Sequence, residues 1–169
     1  MKIIFIRHGE TNVKTRKLTL KGIMQVKSAL NYIKDENVKA IFCSPRTRAL
    51  QTANILNKKF NAPLFILKEL NERQQLLFSQ SHLLKQEFDA NYLNYDYNND
   101  NFETCKNFID RTTIALNKIK EKYPGDQTVI VAAHSSTLYA INTYITGIPQ
   151  NGKINWLQCS NGAVVKFHL

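Results

Sequence analysis

The chain has 169 residues, 43% of them hydrophobic and 21% charged, and its 23 lysines and arginines against 13 acids give a net charge of +10. A chain of that length suits one domain, residues 1–169, that buries a sizeable core and needs no disulfide or metal staple. The positive charge invites a nucleic-acid or membrane-surface reading. Its distribution argues against both: no Lys or Arg lies between Gln86 and Cys105, where Glu87, Asp89, Asp96, Asp100 and Glu103 cluster, and elsewhere the lysines are scattered through an asparagine-rich sequence.

Cys43, Cys105 and Cys159 have no metal-ligand spacing and leave one thiol unpaired, which points to a reducing compartment and to three ordinary apolar residues. No apolar run reaches membrane-spanning length, and the short run before Arg7 cannot form a signal-peptide core. A soluble, cytoplasmic protein without repeats or linkers is expected.

In chain order, Ile3-Ile4-Phe5-Ile6 reads as a buried strand that stops at Arg7-His8-Gly9-Glu10-Thr11. In open α/β sheets ligands bind beyond the carboxyl ends of strands, so Arg7 and His8 fall where a small anion would be held, and Gly9 permits a tight turn. After a polar loop over Asn12–Leu18, Thr19 is an N-cap for a helix carrying Leu20, Ile23, Met24, Ala29, Leu30 and Ile33, weakened by Gly22. Ala40–Cys43 is a second strand. Ser44 and Pro45 then read as N-cap and first helical residue, which puts Arg46 and Arg48 in the first turn of the next helix. Arg46 reads as a solvated helix-start residue.

A third strand, Leu64–Leu67, leads into Lys68-Glu69-Leu70-Asn71-Glu72-Arg73. Residues 79–102 form an acidic, aromatic, lid-like insert in which Leu83, Leu84, Phe88 and Tyr92 have helical spacing. Its aromatics could stack on a ring or pair with a cationic group, or could simply pack onto the body. Glu103–Tyr123 is the longest helix candidate, stopped by Pro124-Gly125. Thr128–Ala133 is the most strand-like run, and it delivers His134, Ser135 and Ser136 to a strand end, ahead of a helix over Thr137–Ile145. Ile154–Leu157 and Asn161–Phe167 read as two closing strands joined by a turn.

Several of these segments together resemble the histidine phosphatase superfamily, the phosphoglycerate-mutase-like phosphatases. The matching pieces are Arg7-His8-Gly9-Glu10-Thr11, Leu18-Thr19-Leu20-Lys21-Gly22, Ser44-Pro45-Arg46-Thr47-Arg48-Ala49-Leu50-Gln51-Thr52-Ala53, Leu70-Asn71-Glu72-Arg73 and His134, spread in the family's order over the whole chain. The resemblance implies an α/β fold with a doubly wound, mostly parallel sheet and helices on both faces. It implies a nucleophile at His8, a second catalytic histidine at His134 and a general acid at Glu72, with Glu69 in the neighbouring register as the competing choice. Arg7, Arg48, Thr11 and Ser135 are the implied substrate-binding residues. The family's usual continuation after the acid is absent at Gln74–Phe78, the glycine that precedes Glu103-Thr104 in relatives is missing, and no role is carried to Glu103 or Arg111.

The residue types suit the chemistry. Phosphoryl transfer spreads charge over equatorial oxygens, so positioning and electrostatic stabilisation dominate, and guanidinium forks bind phosphate bidentately. His8 would form a phosphohistidine, Arg7, Arg48 and a protonated His134 would neutralise the oxygens, and Glu72 would protonate the departing alcohol and then activate water. The sequence has no metal-type cluster, so no metal and no cofactor are expected. The reading is a metal-independent phosphatase for a small phosphorylated substrate, with no nucleic-acid or membrane partner and the oligomeric state left open. Its alternatives are a phosphoglycerate-type mutase, a phosphohistidine-protein phosphatase and a non-catalytic phosphate-binding module.

Overall fold

The computed structural model describes residues 1–73 and 82–169. Gln74–Phe78, where the sequence departs from the family pattern, and the first residues of the 79–102 insert lie outside the described residues.

Five strands form one sheet: β1 (Lys2–Arg7), β2 (Val38–Cys43), β3 (Leu64–Ile66), β4 (Thr128–Ala133) and β5 (Val164–His168). Their spatial order is β3-β2-β4-β1-β5. β1, β2, β3 and β4 run parallel, and β5 closes the β1 edge antiparallel. Successive strand side chains point to opposite faces, so Ile4, Ile6, Ile41, Cys43, Ile130 and Ala132 pack on one side against α1 (Leu20–Ala29) and α2 (Thr47–Phe60). Ile3, Phe5, Ala40, Phe42, Val129 and Val131 pack on the other against α4 (Cys105–Lys122) and α5 (Ser135–Thr146). The sheet is thus doubly wound with helices on both faces. Strands buried on both faces explain why β1 and β4 read as near-continuous apolar runs.

Described insert residues form α3 (His82–Ala90) and an irregular exit. Their aromatics pack on one another and on the outer side of α4 and α5: Phe88 meets Tyr92 and Phe102 edge-on at 5.3 and 5.0 Å, and Tyr92 meets Tyr139 and Trp156 at 6.3 and 5.8 Å. Packing onto the body is the alternative this part adopts. Among the described residues no helix is long and apolar enough to cross a membrane. Cys43 and Cys105 are buried, and that burial pushes both thiols up to about 11.

Three local expectations are corrected. Ser44 and Pro45 do not begin α2: the N-cap is Arg46, extended at φ −65 and ψ 135, and the helix starts at Thr47. Ile154–Leu157 is not a strand, because the Ile154 amide donates to the Leu93 carbonyl at 2.8 Å and its side chain enters the apolar layer beside Phe108 and Tyr139. Gly22 is no defect in α1. A Cβ there would sit 2.1 Å from the Glu10 carbonyl oxygen, and one on Gly9 would sit 2.2 Å from the Gly22 carbonyl oxygen. The first turn of α1 therefore lies backbone-to-backbone on the turn that follows His8.

Candidate active site

Parallel pairing sets the site's level. Arg7 is in register with Ala133, and Cys43 with Ala132, so the residues that follow, His8, His134 and Ser44, leave three adjacent strands at one edge. Because β4 lies between β1 and β2, His134 sits between His8 and Ser44. The two imidazole rings are 5.3 Å apart at 66°.

His8 is buried, and its Nδ1 lies 2.8 Å from the Gly9 carbonyl oxygen. A carbonyl can only accept, so Nδ1 carries the proton and Nε2 presents its lone pair. Arg48, in the first turn of α2, donates its Nε–H to that Nε2 at 3.0 Å and pairs through Nη2 with the Glu72 carboxylate. Burial first, then Arg48 and Arg7, lowers the His8 pKa to about 4 against the raising effect of the Gly9 carbonyl, so the imidazole is neutral at pH 7. The Asn161 side-chain amide and the Gly162 backbone N–H donate to the His8 carbonyl from the turn before β5, at 3.1 and 3.3 Å. Thr52 Oγ1 donates to the Arg48 carbonyl at 2.8 Å and accepts from the Gly9 amide at 3.4 Å, tying α2 to the His8 turn.

His134 is fully buried, with Nε2 2.8 Å from Ser44 Oγ. Ser44 Oγ accepts from the Arg46 amide at 3.3 Å, and its hydroxyl has a proton to donate and a second lone pair to accept with. When it donates to His134 Nε2, the proton of the neutral ring sits on Nδ1, which is buried without a hydrogen-bond partner among the described residues and lies 3.9 Å from Glu72 Oε2. The expectation of a protonated His134 is overturned for this arrangement: burial above all, then Arg48, pushes its pKa down to about 2.

Of the two candidate carboxylates the structure brings Glu72 to this group. Glu69 is drawn away by Lys118 Nζ at 2.6 Å, which holds its carboxyl below the ordinary range. Arg7 donates through Nη1 to the Cys159 carbonyl, while its buried Nε has no partner among the described residues. Ser135 opens α5 with Oγ 4.0 Å from Cys159 Sγ. Thr11 is not drawn in: it forms an isolated bridge with Leu18 and its side chain joins none of these hydrogen bonds. Arg46 is exposed but not merely solvated, because its Nε donates to Asn71 Oδ1 at 2.8 Å.

The sequence reading missed Ser44 and Asn161 as partners of the histidines, and Thr52 as the tie between α2 and the His8 turn. Ser44 and Thr52 lie inside the quoted serine-proline motif, so a signal was present. It also missed that His8, Glu72 and His134 bring three donor atoms within 4.8 Å of one another, a cluster of metal-ligand type. The donors suit a cation, but the surroundings do not: the Arg48 field that disfavours a proton on His134 opposes a dication more strongly.

The sequence profile of the histidine phosphatase superfamily (branch 1) matches residues 3–169. The chain is 28% identical over 154 residues to an uncharacterized phosphatase of Bacillus subtilis, PhoE, an alignment covering 86% of this chain and 77% of that protein. In fold it resembles YhfR of Bacillus stearothermophilus, with a TM-score of 0.79, 20% identity and coverage of 99% and 91% of the two chains. A mycobacterial glucosyl-3-phosphoglycerate phosphatase solved with VO3 superposes with a TM-score of 0.77 at 18% identity, covering 98% and 90%.

Proposed function

Because the chain belongs to the histidine phosphatase superfamily, branch 1, we propose that it is a phosphatase hydrolysing small phosphate monoesters through a phosphohistidine on His8. The observation that carries the reading is the meeting, at one sheet edge, of a neutral His8 with its Nε2 lone pair presented, the Arg48 guanidinium on that atom, and two buried nitrogens without hydrogen-bond partners among the described residues, Arg7 Nε and His134 Nδ1, which in this reading both donate. Buried donors left unpaired are costly unless something else accepts from them, and phosphate oxygens are acceptors.

In this reading the incoming phosphate takes the Arg48 N–H groups from His8 Nε2 and Glu72, and Arg7 and His134 Nδ1–H bind further oxygens. Nε2 attacks phosphorus in line with the ester oxygen. A P–N bond forms as the P–O ester bond breaks, and the departing oxygen takes a proton from the Glu72 carboxyl. That proton comes from solvent when Arg48 leaves the Glu72 carboxylate for the phosphate, and it returns to solvent when the pair re-forms at the end of the cycle. Glu72, now a carboxylate, removes a proton from water, which attacks phosphorus. The P–N bond breaks, inorganic phosphate leaves, and His8 and protonated Glu72 are restored. His134 acts as a neutral hydrogen-bond donor that gains positive character only as charge accumulates beside it.

The decisive experiment is a screen of phosphorylated metabolites and p-nitrophenyl phosphate with wild type beside His8→Ala. Release of inorganic phosphate by wild type, an acid-labile phosphoryl enzyme on rapid quench and no turnover by H8A support the proposal. Turnover retained by H8A would refute it. Phosphoryl return to a second hydroxyl of the substrate instead of to water would mark a mutase.

A further inference from the structure

The segment that carries Glu72 has little regular structure. A short 3-10 turn over Lys68–Leu70 leads out of β3, and the chain then runs without helix or strand through Arg73. Something else must fix the carboxylate. From the neighbouring helix α4, Arg111 donates Nη1–H to the carbonyls of Glu69 and Asn71 at 2.6 and 2.8 Å, and Nη2–H to the carbonyl of Glu72 itself at 3.4 Å. The guanidinium cannot wander: Glu103 grips its other N–H groups at 2.5 and 3.0 Å, and its plane lies 4.6 Å from the Phe108 ring centroid. Phe108 is fully buried in the layer between α4 and α5, so the fork stands on a rigid base.

We propose that Arg111 is a positioning residue for the proton donor of the reaction: it aims the Glu72 carboxyl at the leaving oxygen by holding three carbonyls of residues 69–72. This rests on the reading of Glu72 as general acid. Arg111 touches no reacting atom in this arrangement. Its planar fork satisfies several acceptors at fixed angles, which a lysine point charge cannot reproduce. A general acid works only within hydrogen-bond reach of the atom it protonates, so a segment loosened by an ångström loses proton transfer while the phosphate clamp of Arg7, Arg48 and His134 stays intact.

Leaving-group dependence separates positioning from simple stabilisation of the fold. An alkoxide needs a proton to depart, whereas p-nitrophenolate does not. With an alkyl monophosphate, Glu72→Gln should lower kcat/KM, which reports only the steps up to phosphoryl transfer to His8, by roughly 10²-fold and Arg111→Met by about 10-fold, whereas with p-nitrophenyl phosphate Arg111→Met should change kcat/KM less than about twofold. Where hydrolysis of the phosphohistidine limits turnover, kcat and KM should fall together for both esters, because Glu72 also activates the water of that shared step. The double variant E72Q/R111M should be no slower than E72Q alone, since two residues acting through one proton transfer are not additive. If R111M fails to fold, R111K carries the test: it keeps the charge, loses the fork and should show the same ester preference at smaller size.

Equal losses of kcat/KM on the two esters, or additivity in the double variant, would overturn the proposal while leaving Glu72 as the acid. An E72Q variant that does not distinguish the esters would remove the reading of Glu72 and this inference with it.

Discussion

At the scale of single residues the two histidines of the site are held neutral by their surroundings, and that has a measurable consequence for stability. His8 is held at about 4 and His134 at about 2 in the folded protein, both chiefly by burial, against about 6.5 in an unfolded chain. Above pH 6.5 neither state binds the proton and there is no effect. As pH falls below 6.5 the unfolded chain takes up protons that the folded one refuses, so stability is lost with acid: roughly 2 kcal/mol per imidazole by pH 5. The thermal midpoint should fall between pH 7 and pH 5, the imidazole carbon resonances of these two histidines should stay fixed over that range, and His8→Gln should remove about half of the loss. The Ser44 hydroxyl lies 2.8 Å from His134 Nε2, and in the proposed mechanism it donates there and keeps the ring proton on Nδ1. Ser44→Ala frees the ring to place its proton on Nε2, away from the substrate, and should lower kcat for p-nitrophenyl phosphate about 10-fold, with the phosphohistidine still detectable after rapid quench.

At the scale of elements the close approach of α1 to the His8 turn is the tightest fit. Gly22→Ala inserts a Cβ 2.1 Å from a backbone oxygen, and backbone cannot step aside as a side chain can, so a loss of about 1–3 kcal/mol is expected. Gly125→Ala, at φ +69 but facing open space, should cost only about 1 kcal/mol. Urea unfolding of the two variants distinguishes them, and activity should drop in the first alone because α1 then presses on the His8 turn. The same glycine shows where the sequence was opaque. The continuous apolar run of β1 and the capped periodicity of α1 are local signals, and Thr19 does cap that helix, accepting from Gly22, whereas the sequence reading missed the cap of α4, Thr104 accepting from Asn107. Gly22 owes its identity to Glu10, a neighbour only in space. Ser44 and Pro45 carry a local helix-start signal that tertiary demand overrides, because the serine is needed against His134. Ile154 looks like a strand residue, but its apolar side chain is drawn into the layer beneath the insert.

At the scale of the whole molecule the strand order does what no periodicity could announce: β4 enters between β2 and β1 and aligns residues far apart in the chain. The resemblance named the histidines and Arg48, but the choice between Glu72 and Glu69 depended on Lys118, which waits on α4 to take the second carboxylate. Net charge also acts at this scale. Of the insert's acids, Glu87 accepts from Tyr97 and from Asn99, and Asp89 pairs with Lys85 at 2.5 Å, so part of its negative charge is already answered locally. The body keeps its excess of positive charge, and Arg7 and Arg48 stand at one sheet edge within it. A phosphate dianion approaching that edge is drawn in over roughly a Debye length, about 10 Å at 0.1 M salt and about 3 Å at 1 M. Association should therefore weaken with salt while the closed, largely buried chemistry does not. Between about 20 mM and about 500 mM sodium chloride, kcat/KM for a small dianionic monoester should fall by about three- to tenfold with kcat nearly constant. A parallel fall in kcat would mean that salt disturbs the assembled site rather than the approach, and an unchanged kcat/KM would mean that the charge of the body plays no part in capturing substrate.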